Sequence, residues 1–151
     1  MIGPVSSGNV ALSFLDHLLG LRWPRRPGCF SRRRFLLADD SAAMRFLLRE
    51  YLAPTGADLV LVADGRQAVE AAAAHRFDLL LLDLSMPELD GAGALAHIRA
   101  GGRPTVPAVA VTAESAPDEV AAALRAGFAA LIAKPVQREK LLQTIGSLIH
   151  S

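Results

Sequence analysis

The sequence predicts an α/β domain: a doubly wound, five-stranded parallel sheet with helices on both faces. From Phe35 onward, short apolar runs alternate with segments of helical periodicity, which is the pattern of such a domain. The run from Phe77 to Leu82 is almost continuously hydrophobic, as expected of a strand that helices cover on both sides. A chain of 151 residues has the length of about one domain.

The five strands are predicted from the apolar runs, which are too short to be helices. They lie at residues 35–38, 59–62, 77–82, 106–111 and 129–133. Sequential parallel strands need right-handed crossover connections, and a helical segment is available between each pair.

The five helices are predicted from apolar periodicity and from their end signals. They lie at residues 42–53, 65–75, 91–100, 117–126 and 136–149. Ser41 and Asp64 are suited to cap the first two, because their side chains accept a hydrogen bond from a free amide of the first turn. Pro117 opens the fourth helix, where its missing N–H costs nothing.

Composition and charge narrow the class of protein. Slightly more than half of the residues are apolar, and the apolar runs are far shorter than the ~20 residues of a membrane span. Cys29 is the single cysteine, so no internal disulfide forms and a cytoplasmic location is expected. Residues 1–34 carry six arginines against Asp16, a net charge of +5, whereas residues 35–151 carry ten basic against fourteen acidic side chains, a net charge of −4.

This asymmetry predicts two parts: residues 1–33 as a flexible basic extension and residues 34–151 as the folded domain. Val10 to Trp23 has a helix-like apolar pattern, followed by arginines and by Pro24 and Pro27. A signal peptide has its positive charge before the apolar part, so that class is excluded. An interfacial helix, a nucleic-acid-binding arm and a disordered tail all remain open readings.

Chemistry-bearing side chains follow four of the predicted strands. Asp39 and Asp40 follow the first strand, Asp83 the third, Thr112 the fourth and Lys134 the fifth. In the flavodoxin-like order 2-1-3-4-5, the carboxyl ends of the first and third strands flank the point where ligands bind. Clustered carboxylates favour a hard cation such as Mg²⁺, and a lysine and a hydroxyl opposite them suit a phosphoryl group. Asp83 is then the predicted nucleophile of an acyl-phosphate reaction.

These residues resemble the receiver domain of two-component response regulators, in particular the stand-alone, chemotaxis-regulator-like type. The resemblance rests on the ordered set of Asp39-Asp40, the segment 83–91 (DLSMPELDG), Thr112-Ala113 and Lys134-Pro135, and it covers about residues 34–150. It implies a signalling protein, not an enzyme acting on a separate substrate. It also implies action through protein–protein contacts, because no output segment such as a DNA-binding domain or a transmembrane segment is expected in this sequence.

The resemblance assigns the metal site and its partners. Asp39, Asp40, Asp83 and the backbone carbonyl of Ser85 are implied to hold Mg²⁺, with Mn²⁺ as the alternative ion. The phosphoryl donor is implied to be a histidine kinase or a histidine phosphotransfer protein, and the downstream target to be a further protein.

The resemblance also assigns the phosphoryl site. Asp83 is the implied phosphoacceptor, Thr112 the hydroxyl that moves onto the phosphoryl oxygen and Lys134 its ion-pair partner. The Lys134–Pro135 bond is implied to be cis, which proline tolerates at small cost. Ser85 and Glu114 match positions that tune the acyl-phosphate lifetime.

One position departs from the family pattern, and two other functions remain as alternatives. Leu131 stands where the best-known receivers have an aromatic residue, which puts in question the readout on the face of the fourth helix, fifth strand and fifth helix. A pseudo-receiver that ignores phosphate is therefore one alternative. A metal-dependent phosphohydrolase is the other, although Ser85 occupies the position where a second aspartate is needed as general acid.

Overall fold

The computed structural model describes residues 28–103, 105–113 and 116–149, which form one parallel sheet with helices on both faces. The strands are β1 (Arg34–Ala38), β2 (Asp58–Val62), β3 (Leu79–Asp83), β4 (Ala108–Thr112) and β5 (Ala130–Ala133). The helices are α1 (Ala42–Leu52), α2 (Gly65–Ala74), α3 (Gly91–Ala100), α4 (Pro117–Arg125) and α5 (Arg138–Ile149), with a short 3₁₀ turn at Ala53–Thr55. The strand order is β2-β1-β3-β4-β5, so the predicted fold class is confirmed. None of the helices in the described part of the chain has the length and hydrophobicity that a membrane span requires.

The sheet separates two hydrophobic layers, because successive strand side chains point to opposite faces. Leu37 and Leu81 lie in the layer that α1 and α5 cover, whereas Leu36, Leu80 and Leu82 lie in the layer under α2, α3 and α4. Every residue of β3 and of β4 is buried, which explains the unbroken hydrophobicity of the third predicted strand.

Side-chain caps begin three of the helices close to the carboxyl edge of the sheet. Ser41 Oγ accepts a hydrogen bond from the Met44 amide at 3.2 Å, and Asp64 Oδ1 accepts one from the Gln67 amide at 2.8 Å, so both predicted caps are confirmed. Asp90 Oδ1 caps α3 in the same way. Each cap satisfies an amide that the helix leaves free.

The boundaries of several elements shift by one to two residues from the prediction. β3 begins at Leu79 instead of Phe77, since Asp78 uses its side chain to accept the Arg34 amide at the start of the sheet. β3 and β4 each extend one residue further than predicted, to Asp83 and Thr112. Both site residues therefore belong to strands and not to loops.

The packed region begins upstream of Arg34. Phe30 is buried in the core and its ring stands edge-on to that of Phe35, 5.5 Å between centroids. The amides of Gly28 and Phe30 donate to the carbonyls of Pro54 and Thr55, at 2.9 and 2.7 Å. Residues 28–33 thus pack against the connection between α1 and β2, whereas the flexibility expected of the earlier residues, 1–27, falls outside the described part of the chain.

The backbone of Gly65 in α2 contacts that of Leu89 in the connection between β3 and α3. This contact predicts that a methyl group added at Gly65 destabilises the protein. A Cβ added to Gly65 would lie 2.0 Å from the carbonyl oxygen of Leu89, so Gly65→Ala forces two backbone segments apart. We expect this substitution to lower the free energy of unfolding by about 2 kcal/mol, measured by urea denaturation.

Gly101→Ala is the matched control, because a Cβ at Gly101 meets its nearest atom at 3.3 Å and the backbone there is not left-handed. Its free energy of unfolding should stay within about 0.5 kcal/mol of the wild type. Equal stability losses in the two variants would contradict the role given to the Gly65–Leu89 contact.

Candidate functional site

The sheet brings the three predicted carboxylates together at one edge. Ala38 pairs with Leu82 in the parallel register, so Asp39 and Asp83 follow at the same level of two adjacent strands, and Asp40 comes next along the chain. One oxygen of each of the three carboxylates lies within 4.8 Å of the other two. Asp39 and Asp83 are buried, at 1% and 2% exposure, whereas Asp40 is exposed.

The loops that follow β1 and β3 hold the two buried carboxylates in the same way. Asp39 Oδ1 accepts a hydrogen bond from the Ser41 amide at 2.9 Å, and Asp83 Oδ1 accepts one from the Ser85 amide at 3.1 Å. Each aspartate therefore uses one oxygen to fix its own turn, two residues ahead. The other oxygen, Oδ2, remains for interactions within the cluster.

Lys134 provides the positive charge opposite the carboxylates. Its Nζ lies 3.2 Å from Oδ2 of Asp39 and 3.2 Å from Oδ2 of Asp83. The Lys134 amide donates to the carbonyl of Thr112 at 2.7 Å, which places the start of the β5–α5 loop beside the end of β4. The Lys134–Pro135 bond is cis, as the sequence resemblance implied.

Thr112 completes the edge from the next strand. It is buried and stands one residue beyond Val111, the register partner of Asp83. The structure therefore gathers Asp39, Asp40, Asp83, Thr112 and Lys134 at the carboxyl edge of four strands.

Burial, neighbouring charges and hydrogen bonds together set the pKa values of Asp83 and Lys134. Burial raises the pKa of Asp83 above its ordinary value of 3.8, and the charge of Asp39 raises it further, against the lowering effects of the Ser85 amide and of Lys134. Burial alone would lower the pKa of Lys134, but the two carboxylates outweigh burial and the pKa of Lys134 is raised.

The donor set fits a small, hard cation. Three carboxylates face one ammonium group, so the cluster has an excess of negative charge. Asp39 Oδ2 is buried and receives no hydrogen bond from the described residues, since its contact with Lys134 is an ion pair without hydrogen-bond geometry. A buried carboxylate oxygen without a hydrogen-bond donor, next to two more carboxylates, suits Mg²⁺ or Mn²⁺.

Two contacts that support the site were missed by sequence reasoning. Arg45, on the first turns of α1, donates from Nη1 to the carbonyl of Asp39 at 2.7 Å. Gly91, at the start of α3, stands so close to β3 that an added Cβ would lie 2.4 Å from the carbonyl oxygen of Asp83. The glycine directly after a helix-capping aspartate was the available signal for the second contact; nothing in the sequence pattern pointed to the first.

The position of the expected aromatic readout residue holds an aliphatic side chain, that of Leu131. Leu131 lies half-buried on β5 and packs against the layer under α2, α3 and α4. Phe128, the nearest aromatic residue in sequence, is buried in the same layer at 3% exposure. Neither presents an aromatic ring on the surface, and Glu114 lies outside the described residues.

Comparisons of the sequence and of the structure with known proteins point to the same family. The sequence profile of the response regulator receiver domain matches residues 35–146, which include every residue of the cluster.

Two curated relatives share about a third of their residues with this chain. The sensory/regulatory protein RpfC of Xanthomonas campestris is 35% identical over 121 residues, and the luminescence regulatory protein LuxO of Vibrio campbellii is 34% identical over 114 residues. These alignments cover 78% and 76% of this chain, but only 17% and 25% of the two relatives. The chain thus spans a minor part of the length of either relative.

Solved structures of receiver domains superpose over most of the chain. The receiver domain of the sensor histidine kinase PA1611 from Pseudomonas aeruginosa has a TM-score of 0.74 and 34% identity, over 79% of this chain and 98% of that one. Its structure holds a magnesium ion in the active-site cleft. The chemotaxis protein CheY4 of Vibrio cholerae has a TM-score of 0.73 and 27% identity, over 77% and 98%.

The raised pKa of Asp83 predicts how the stability of the protein depends on pH. Because the folded state favours the neutral form of this carboxyl, the charged form costs stability, and the cost grows as the pH rises above 3.8. We therefore expect Asp83→Asn to be more stable than the wild type at pH 7 in the absence of divalent cations. The difference should disappear below pH 3.8, measured by urea denaturation across the pH range.

Asp118→Asn is the control, since Asp118 is exposed on α4 and lies outside the cluster. Its pH profile should follow that of the wild type within about 0.5 kcal/mol. If Asp83→Asn is less stable than the wild type at pH 7, the charged carboxylate of Asp83 does not destabilise the folded protein, and the prediction is wrong.

Proposed function

Since this chain belongs to the response regulator receiver family, we propose that it accepts a phosphoryl group on Asp83 and signals by the resulting change in its protein contacts. The observation that carries this proposal is the convergence of Lys134 Nζ on Oδ2 of Asp39 and Asp83, at 3.2 Å each, in a cluster with excess negative charge. That arrangement suits a group that brings anionic oxygens together with a divalent cation.

Asp83 is the nucleophile in this proposal. An oxygen of its carboxylate attacks the phosphorus of a phosphohistidine on a histidine kinase or a phosphotransfer protein. The new O–P bond forms as the N–P bond breaks, and the histidine nitrogen keeps the electron pair of that bond. Oδ2 is the better placed oxygen, because the Ser85 amide that holds Oδ1 is part of the backbone, whereas the Lys134 ammonium on Oδ2 is free to move to the phosphoryl group.

Lys134 and Thr112 position the transferred group. The ammonium of Lys134 leaves the carboxylates and pairs with a phosphoryl oxygen, which keeps a cation beside the new dianionic group. The hydroxyl of Thr112, at the end of β4, donates to another phosphoryl oxygen. The short link from the Lys134 amide to the Thr112 carbonyl, 2.7 Å, keeps the two residues adjacent during this change.

Asp39, Asp40, Asp83 and the backbone carbonyl of Ser85 would hold the divalent cation. When bound, Mg²⁺ neutralises charge on the reacting oxygens; Mn²⁺ has the same preference for oxygen ligands. The buried Oδ2 of Asp39 is the strongest support for this ligand set.

The domain arrangement and the partners are part of the same proposal. Residues 34–151 form the receiver, and residues 1–33 form an extension whose last residues, 28–33, pack against the receiver. The protein works in the cytoplasm. The downstream partner is a protein, and Leu131 gives its recognition surface an aliphatic side chain where other receivers carry an aromatic one.

The first test of this proposal is phosphoryl uptake. The wild type, incubated with acetyl phosphate and Mg²⁺, should gain the mass of one phosphoryl group, measured by intact-protein mass spectrometry. Asp83→Asn should gain none, because an amide is not a nucleophile at phosphorus. Asp58→Asn, an exposed aspartate at the other end of the sheet, should gain the group as the wild type does.

Two results would overturn the assignment. If Asp83→Asn still takes up the group, the acceptor lies elsewhere. If the wild type takes up nothing, and beryllofluoride with Mg²⁺ leaves the amide resonances of Gly91, Thr112 and Ala113 unchanged, the chain is a pseudo-receiver.

The second test addresses the metal ligands. Asp39→Asn should weaken Mg²⁺ binding at least tenfold, because it removes a buried anionic oxygen, measured by titration of the Ser85 and Asp83 amide resonances. Asp64→Asn removes an aspartate that caps α2, outside the cluster, and should leave the affinity unchanged. Equal affinities in Asp39→Asn and the wild type would exclude Asp39 as a ligand.

A further inference from the structure

The two ends of the sheet carry opposite charge. We call the end formed by the amino ends of the strands and the carboxyl ends of the helices the basal end, and the end that holds the carboxylate cluster the acidic end. Among the described residues, the basal end carries eight arginines (Arg32, Arg33, Arg34, Arg49, Arg76, Arg99, Arg103 and Arg125) against four acids (Glu50, Asp58, Glu70 and Asp78), a net charge of +4.

The acidic end shows the reverse balance. Its acids are Asp39, Asp40, Asp64, Asp83, Glu88, Asp90, Asp118, Glu119 and Glu139, and its bases are Arg45, Arg66, Lys134, Arg138 and Lys140, a net charge of −4 among the described residues. The near-neutral total of the chain therefore conceals a strongly polarised domain.

Some basal arginines have a structural explanation. Arg49, Arg99 and Arg125 lie in the last turns of their helices, where a cation complements the negative end of the helix dipole. Arg33 and Arg34 contact Asp78 and Asp58, at 3.9 and 2.8 Å.

Arg32 and Arg76 have neither explanation. Both are exposed: Arg32 lies in the turn before β1, and Arg76 lies in the connection between α2 and β3. Neither makes an ion pair within the described part of the chain. Arg32 adopts a left-handed backbone conformation, with φ of 69°, which is rare for a residue with a side chain. The turn that imposes it is packed, because Phe30 beside it is buried in the core. The protein thus holds Arg32 outward from a fixed turn.

The sequence upstream of Gly28 joins the domain at this same end. It adds Arg22, Arg25 and Arg26, with Trp23 among them and with leucines at helical spacing before them (Leu12, Leu15, Leu18 and Leu19). An apolar segment beside a basic cluster is the combination that gives peripheral proteins a stable hold on anionic membranes. Nucleic acid attracts the same charges, but it offers no counterpart to the apolar segment.

We infer that the basal end, Arg32 and Arg76 foremost, docks this domain on an anionic lipid surface. The repulsion between the acidic end and such a surface orients the domain. Strands of five residues span roughly 16 Å, so the cluster around Asp83 faces away from the membrane and stays open to a partner. This inference does not depend on phosphorylation of Asp83.

The test is binding of the full chain to sedimented vesicles. The wild type should bind vesicles of equimolar phosphatidylglycerol and phosphatidylcholine, fail to bind pure phosphatidylcholine, and dissociate as salt is raised. The double variant Arg32→Gln/Arg76→Gln should bind the anionic vesicles about 25-fold more weakly, at about fivefold for each arginine.

The matched control is Arg66→Gln/Lys140→Gln, which removes the same charge from exposed positions at the acidic end. Its vesicle binding should equal that of the wild type. Equal loss in both double variants would mean that only net charge matters, and no loss in the basal variant would exclude the basal end; either result overturns the inference. So does a DNA duplex that, at equal charge concentration, displaces the wild type from the vesicles.

Discussion

The shortage of positive charge around Asp39 and Asp83 is the constraint on which the rest of this structure depends. Two buried carboxylates on adjacent strands repel each other, and a single ammonium, that of Lys134, lies 3.2 Å from both. The strand order, the Ser41 and Ser85 amides and the β5–α5 loop all act to keep this arrangement in place. The fold thus holds an excess of negative charge at this site, which a divalent cation is suited to neutralise.

The hydrophobic layers of the core offset the energetic cost of the excess negative charge around Asp39 and Asp83. Because β3 and β4 are buried along their whole length, Asp83 ends a strand that cannot shift without disturbing both faces of the sheet. A carboxylate on a mobile loop would move toward water and lose its perturbed protonation. The rigid strand prevents this movement, and the two neighbouring loops deliver one hydrogen-bond donor to each buried aspartate.

The sequence alone was enough to predict the strand order. It also predicted that Asp39, Asp83 and Lys134 lie close together, because each follows an apolar run and the carboxyl ends of parallel strands lie at one edge of the sheet. It was insufficient for Arg45, whose bond to a backbone carbonyl depends on the path of the β1–α1 loop. It also assigned Phe30 to the basic extension, since the surrounding arginines dominate the local composition while burial depends on a distant turn at Thr55.

The connection between β3 and α3 has a consequence for how such a chain can diverge. At its start the Leu84 amide donates to the Val111 carbonyl, and at its end Gly91 touches the backbone of Asp83. In between, Leu89 meets Gly65 of α2, backbone against Cα. Most surface loops absorb insertions and deletions freely, but one residue more or fewer here displaces either β3 or the two helices α2 and α3. We therefore expect a change in the length of this segment to destabilise the fold more than substitution of its exposed side chains does.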